Sequence, residues 1–195
     1  MIAFKFIIIA VISYLLGSLN FGVILSRRKK NEDVRESGSG NAGTTNMMRT
    51  YGKTLGLLTI AGDILKVIIA IWLAFRIVSV EELKMTLDSA SDYPQVVLKS
   101  FAGLFAVLGH IFPCYFKFKG GKGVATSGGM VIAIDWRIAL ILLAIFALTI
   151  LITKYVSLGS ILMAIFYPVF IGIFYKDIIL VLIALVFTVI IVVAH

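Results

Sequence analysis

Apolar residues run through most of the chain almost without interruption, and polar residues collect in a few short breaks between the runs. The runs are apolar on every helical face, which predicts helices immersed in lipid rather than amphipathic helices resting on a soluble core. Their limits place spans at 3–25, 55–78, 95–116, 122–136, 138–153, 156–175 and 177–194. The fold class expected is an all-α membrane protein, a polytopic bundle of seven transmembrane helices, some of them short.

The fourth and fifth spans need an argument. Read as one helix, "KGVATSGGMVIAIDWRIALILLAIFALTIL" would hold Asp135 and Arg137 in mid-membrane, which is expensive. Two short helices joined by a tight turn cost less. The first of them, with about 13 to 15 residues, would reach about 20 Å against a hydrocarbon layer of about 30 Å. The loop before it is therefore expected to dip into the bilayer, where irregular backbone is tolerated against protein or a wet cavity.

Residues 1–25 form too long an apolar run for a signal-peptide core, and the basic "SRRKK" follows the run instead of preceding it, so a retained first span is expected. Composition agrees: 195 residues, 61% hydrophobic and 14% charged, with a mean hydropathy of +1.07, expose more apolar surface than a soluble core of this size could hide. The length allows one domain, residues 1–195, and no second globular unit.

The single Cys114 cannot form an intramolecular disulfide, and His110 and His195 stand outside any metal-ligand spacing. Neither a metal nor a cofactor is expected. The net charge of +8 is read first as topology, with no nucleic-acid partner. Loops one, three and five carry Arg27, Arg28, Lys29, Lys30, Arg35, Arg49, Lys53, Lys117, Lys119, Lys122 and Lys154. The other side has Lys5, Arg76, Lys84, Lys99, Arg137 and Lys176, several near Glu81, Glu82, Asp88 and Asp92. The excess of positive charge puts the odd loops and the C-terminus in the cytoplasm and the N-terminus outside.

Three polar segments share that basic side. In "ESGSGNAGTTNMMRTYGK", Gly38, Gly40 and Gly43 permit positive φ angles that turn successive N–H groups toward one point, as in an anion-binding nest. Ser39, Asn41, Thr44, Thr45 and Asn46 add neutral donors, and Arg49 offers a planar fork suited to phosphate. The competing interpretation is a plain flexible linker. The compactness of donors, glycines and cation favours a site.

In "GHIFPCYFKFKGGKGVATSGG", Gly120, Gly121 and Gly123 surround Lys122 just before a helix, so backbone donors, a helix N-terminus and an ammonium could face one phosphate. It is not a P-loop, since Gly123 stands where Ser or Thr should bind magnesium. Gly128 and Gly129 are expected to allow close helix packing. Pro113 should distort the end of the preceding helix. His110 could be a base, a donor or a packing residue.

In "TKYVSLGSI", Ser157 is placed to cap a helix, and Ser160, one turn on, could point into the bundle. Asp63 and Lys66, spaced i, i+3, can neutralise each other within the second span and are read as a structural pair.

The stretches "GSGNAGTTNMMRTYGKTLG", "GHIFPCYFKFKGGKGVAT" and "KYVSLGSI" resemble, in order and length, the three signature motifs of the PlsY family, the acyl-phosphate:glycerol-3-phosphate acyltransferases of bacteria. The resemblance runs from the first span to the last. It implies a seven-span enzyme of the bacterial inner membrane that moves a fatty acyl group from acyl phosphate to the 1-hydroxyl of glycerol 3-phosphate, releasing phosphate and lysophosphatidic acid. It assigns catalytic importance to Ser39 and Arg49 and phosphate binding to Gly120, Gly121, Lys122 and Gly123, with Thr126 closing the second motif. Ser160 is the first choice for the third motif's serine and Ser157 the second. The family pattern continues past its histidine, here His195, as His-Arg-x-Asn, whose Arg and Asn are implied to help bind glycerol phosphate; the sequence ends at His195.

The chemistry suits this inventory. An acyl phosphate is already activated, so the protein need mainly position two anions and stabilise developing charge. Direct attack by the glycerol hydroxyl is expected, with His195, His110 or a substrate phosphate oxygen as base and the phosphate oxygen preferred. The H-x-x-x-x-D pattern of acyl-CoA-dependent enzymes is missing, since Tyr115 stands five residues after His110. The substrates apart, membrane lipid is the partner expected, and the chain is read as a monomer. The alternatives are a carrier or channel for a phosphorylated anion, for which no internal repeat argues, and a serine hydrolase built on Ser160 and His195.

Overall fold

The computed structural model describes residues 2–87 and 90–195; Met1, Asp88 and Ser89 lie outside the described residues. Ten α-helices appear among them: α1 (Ile2–Gly17), α2 (Phe21–Lys30), α3 (Thr44–Tyr51), α4 (Lys53–Ile77), α5 (Val80–Leu87), α6 (Pro94–Ile111), α7 (Val124–Ile134), α8 (Trp136–Thr153), α9 (Val156–Tyr175) and α10 (Ile178–Val193). Five are long and apolar enough to cross a membrane, counting α1 with α2 as one passage, together with α4, α6, α8 and α9; α7 and α10 are apolar but shorter.

The first run is not the continuous helix its hydropathy suggests. It breaks at Ser18–Asn20, where the Asn20 carboxamide accepts from the Val23 N–H and caps α2. The break follows from a close crossing. A Cβ on Gly17 would overlap the Ala106 carbonyl oxygen, and one on Gly109 would overlap the Tyr14 carbonyl and lie 2.8 Å from the Ser18 nitrogen. Here α1 and α6 touch backbone to backbone, as small residues permit in lipid.

The division at "DWR" does occur. Asp135 leaves helical geometry, accepts from the Arg137 N–H at 2.9 Å and caps α8. The Arg137 guanidinium, 2.7 Å from the other carboxylate oxygen, holds the Asp135 carboxyl down at about 2. The preceding helix α7 has only 11 residues, about 16 Å of rise.

Helix α6 is the central element, packed on α1, α4, α5, α7 and α10, with α8, α9 and α10 in successive contact beside it. Leu98, Ala102, Ala106 and Val107 of α6 are fully buried against this surround. Gly129 brings α7 onto α4, since a Cβ there would lie 2.7 Å from Val67 and 3.1 Å from the Ile64 Cα. Gly128 does something else: nothing lies within 4 Å of its missing side chain, and it opens a cavity wall. Helix α6 ends before Pro113 rather than bending at it, because the proline disfavours α geometry in the residue before it.

Candidate active site

The first polar loop is built around one side chain. Asn46, on α3, is fully buried; its Oδ1 accepts from the Ser39 N–H at 2.9 Å, and the two hydrogens of its Nδ2 are shared among the carbonyls of Val34, Ser37 and Asn41 at 2.9–3.0 Å. Gly38 and Gly40 take positive φ angles of 61° and 71°, and a Cβ on Gly38 would overlap Asn46 Oδ1. Gly43 does not, at φ −87°; it precedes α3, with its N–H given to Asn41 Oδ1 at 2.8 Å. The segment is thus not a plain linker, since it contains a short helix, and α3 sets Thr45 and Arg49 one turn apart on one face.

The second loop folds back on the end of α6. The N–H groups of Gly120 and Gly121 donate to the carbonyls of Ile111 and His110 at 3.1 and 3.3 Å. A Cβ on Gly120 would overlap the His110 carbonyl oxygen, so glycine is needed for this approach. Gly123 turns the chain into α7 at φ 77°, and Lys122 Nζ donates to Ser157 Oγ at 3.1 Å. Ser157 is therefore no cap. Tyr155 occupies that position without a side-chain bond, and Ser157 sits inside the first turn of α9, where its hydroxyl is free to meet Lys122.

Ser160, one turn further, is buried and bonds back to the Val156 carbonyl at 3.0 Å. His195 follows α10, and its Nδ1 lies 2.8 Å from the Ile191 carbonyl oxygen. A carbonyl only accepts, so the proton is on Nδ1 and Nε2 keeps its lone pair. Burial, with the Lys122 ammonium nearby, pushes the imidazole pKa down, which favours the neutral ring.

These segments meet around a polar cavity of about 720 Å³. Its walls include Ser39, Asn41, Gly43, Thr45, Asn46, Arg49, His110, Lys122, Gly123, Ser157, Ser160 and His195. Gly38, Gly40, Gly120, Gly121 and Thr126 stand outside this wall, the glycines within the loops that form it. Thr44, read from the sequence as one of the first loop's donors, lines the cavity too, and so do Asp63, Lys154 and Tyr155, which the sequence argument did not place there. Lys154 had a local signal, a lysine just past a helix C-terminus, where the backbone carbonyls favour a cation.

Arg49, Lys122 and Lys154 enter none of the ion pairs among the described residues, and Asp63 is already paired with Lys66 at 2.8 Å. Three cations thus face the cavity without a protein counter-charge. A second cavity of about 390 Å³, almost wholly apolar, lies between α7, α8, α9 and α10; it shares Val124, Gly128, Ile132 and Ser160 with the polar one.

Arg35 ties the two loops together. It donates to the Phe116 and Lys119 carbonyls at 3.0 and 2.8 Å and pairs with Asp33 at 2.7 Å. Its bonds hold the Asp33 carboxyl well below the usual carboxylate range. Replacing Arg35 by Ala should cost about 2 kcal/mol, as two carbonyls lose a charged donor. It should also loosen the glycine loop, seen as faster amide exchange over residues 116–123, while Arg49 and its helix stay protected.

The glycerol-3-phosphate acyltransferase family model matches residues 7–195. A glycerol-3-phosphate acyltransferase of Ureaplasma urealyticum is 45% identical over 152 residues, 78% of this chain and 60% of that protein. One of Pseudomonas fluorescens is 43% identical over 157 residues, 80% of this chain and 75% of that protein. The chain thus spans about 60% of the length of the Ureaplasma relatives it matches. A crystal structure of PlsY, an integral membrane glycerol 3-phosphate acyltransferase, in its glycerol 3-phosphate form superposes with a TM-score of 0.82 at 34% identity, covering 97% of this chain and 88% of that one. Its lysophosphatidic acid form gives 0.79 at 33% identity. With its apolar helices, this is an all-helical, multi-pass integral membrane protein. The chain belongs to the glycerol-3-phosphate acyltransferase family.

Proposed function

We propose that the protein transfers an acyl group from acyl phosphate to the 1-hydroxyl of glycerol 3-phosphate, giving lysophosphatidic acid and phosphate. The observation that carries this reading is the junction of the two cavities. Three cations without a counter-charge face the polar one, suited to two phosphate-bearing substrates, and the apolar one beside it suits an acyl chain. The acyl phosphate would lie across their shared wall at Gly128 and Ser160, with its carbonyl near the polar side.

In the step proposed, the glycerol oxygen bonds to the acyl carbon, the acyl carbon–phosphate oxygen bond breaks, and the electron pair leaves with phosphate. The hydroxyl proton passes to a phosphate oxygen, the preferred base, while neutral His195 orients the glycerol by accepting through Nε2 from its other hydroxyl, at carbon 2. Arg49 and Lys122 stabilise charge that grows on the departing phosphate, and Ser39 helps hold its oxygens. The same reading places seven passages in a bacterial inner membrane, the N-terminus outside, the site facing the cytoplasm and the chain acting as a monomer. The basic residues gathered at the site end support that orientation.

Purified protein supplied with acyl phosphate or acyl-CoA, each with glycerol 3-phosphate, tests the assignment. Lysophosphatidic acid should form from acyl phosphate alone. Product from acyl-CoA alone would overturn the donor; no product from either, with phosphorylated anions crossing vesicles, would point to a carrier.

A further inference from the structure

Asp63, Lys66 and His110 form a buried cluster at the wall of the polar cavity, each at most 2% exposed. Lys66 Nζ has three neighbours: Asp63 Oδ1 at 2.8 Å, the Leu19 carbonyl at 3.0 Å and His110 Nδ1 at 2.8 Å. An ammonium carries three hydrogens and no lone pair. The first two neighbours only accept, so the third hydrogen is directed at His110 Nδ1, which must offer its lone pair.

The opposite arrangement, with a proton on Nδ1 pointing to Asp63 Oδ1 at 3.4 Å, would set that N–H against the ammonium. A proton transferred from Lys66 to the ring would leave the stronger base bare, given ordinary pKa values of about 10.4 and 6.5. The ring is therefore neutral and carries its single proton on Nε2. That atom lies against the glycine loop, where a Cβ on Gly121 would overlap it, and His110 lines the cavity.

We infer that Asp63 and Lys66 are positioning residues that lock His110 in the Nε2–H tautomer, so that the ring presents a neutral N–H donor to a phosphate oxygen held beside the Gly120–Gly123 loop. The pair is more than an internal neutralisation of two membrane charges. Asp63 keeps Lys66 an ammonium, Lys66 occupies Nδ1, and the donor is left facing the site. This deepens the phosphate-binding reading above and rests on it for the ligand.

With two histidines in the chain, histidine-selective nitrogen-15 labelling in detergent micelles gives two imidazoles, and His195→Gln assigns the remaining one to His110. Two-bond proton–nitrogen correlations should show Nε2 protonated and Nδ1 bare, and glycerol 3-phosphate or inorganic phosphate should shift the Nε2–H signal. In the uncharged double variant Asp63→Asn with Lys66→Met the tautomer preference should be lost. A proton on Nδ1 in the unsubstituted protein, or an Nε2–H signal shifted by neither saturating glycerol 3-phosphate nor saturating inorganic phosphate, overturns the inference.

Kinetics provide a second arm. His110→Gln places an amide nitrogen close to the Nε2 position and should raise KM for glycerol 3-phosphate, or for acyl phosphate, by less than about threefold. His110→Asn, whose amide reaches only the Nδ1 position, should raise it about tenfold to a hundredfold, as for one lost hydrogen bond to a charged group. Equal effects of the two would sink the donor role. Failure of the unsubstituted protein to make lysophosphatidic acid would instead count against the activity, while the tautomer measurement still decides this proposal.

Discussion

Replacing Arg49 by Ala should lower kcat/KM for lysophosphatidic acid formation about a hundredfold to a thousandfold, the range found when a donor aimed at developing charge is removed. Arg49 projects from α3 onto the polar cavity and takes part in no ion pair among the described residues, so its guanidinium is uncommitted within the protein. The loop beneath it is held by Asn46 and should keep its shape in the variant. Arg49→Lys keeps the charge but not the planar fork, and a loss of about tenfold is expected. Steady-state kinetics with acyl phosphate and glycerol 3-phosphate check both; unchanged kinetics in Arg49→Ala would remove Arg49 from the proposed mechanism. Lys122→Ala should act in the same direction with a smaller loss, since Lys122 gives a point charge.

A single methyl group at Gly109 should damage the fold far more than its size suggests. The Cβ of Gly109→Ala would overlap the Tyr14 carbonyl and crowd the backbone of Gly17 and Ser18, so α1 must retreat from α6. Backbone atoms cannot rotate aside as a side chain can. The expected cost is about 3 kcal/mol, the upper part of the usual overpacking range. Activity should fall with stability because the displaced α1 carries Tyr14, whose hydroxyl donates to the Phe112 carbonyl at 2.6 Å, and leads directly into Ser18, whose hydroxyl accepts from the Cys114 N–H. Those bonds fix the turn leading into the glycine loop. Thermal unfolding in detergent and an activity assay test this against Gly128→Ala, where nothing lies within 4 Å; equal stability of the two variants would refute the close crossing.

Much of this architecture was legible in the chain. Long runs without a polar face left helices in lipid as the economical solution, because backbone groups there must be satisfied within the element. The cost of holding Asp135 and Arg137 in mid-membrane marked the division before α8, and the structure adds that Asp135 caps the new helix. The break at Ser18–Asn20 was not legible, since hydropathy does not register a crossing set by Gly17 and Gly109, far apart in sequence. The short α3 was hidden for a related reason: its polar residues pack on their own loop, so no apolar stripe announces it.

The site divides in the same way. Glycines, hydroxyls and cations clustered in short polar breaks already spoke for anion chemistry, because backbone donors and positive charge act over a few residues. Which atoms the site presents was decided by contacts between distant segments. Asn46 uses its amide on the loop itself, Ser157 meets Lys122 instead of capping α9, and Lys154 joins the cavity from the end of α8. Asp63 and Lys66 read as a pair from their spacing; only the third contact, with His110 across from α6, gives the pair a direction. The sequence by itself determined the long apolar helices and the polar breaks between them, and pointed to anion chemistry, through properties local to each segment. The tertiary structure decided which hydrogen-bonding groups remain for a ligand, because that depends on which of them neighbouring helices have already occupied.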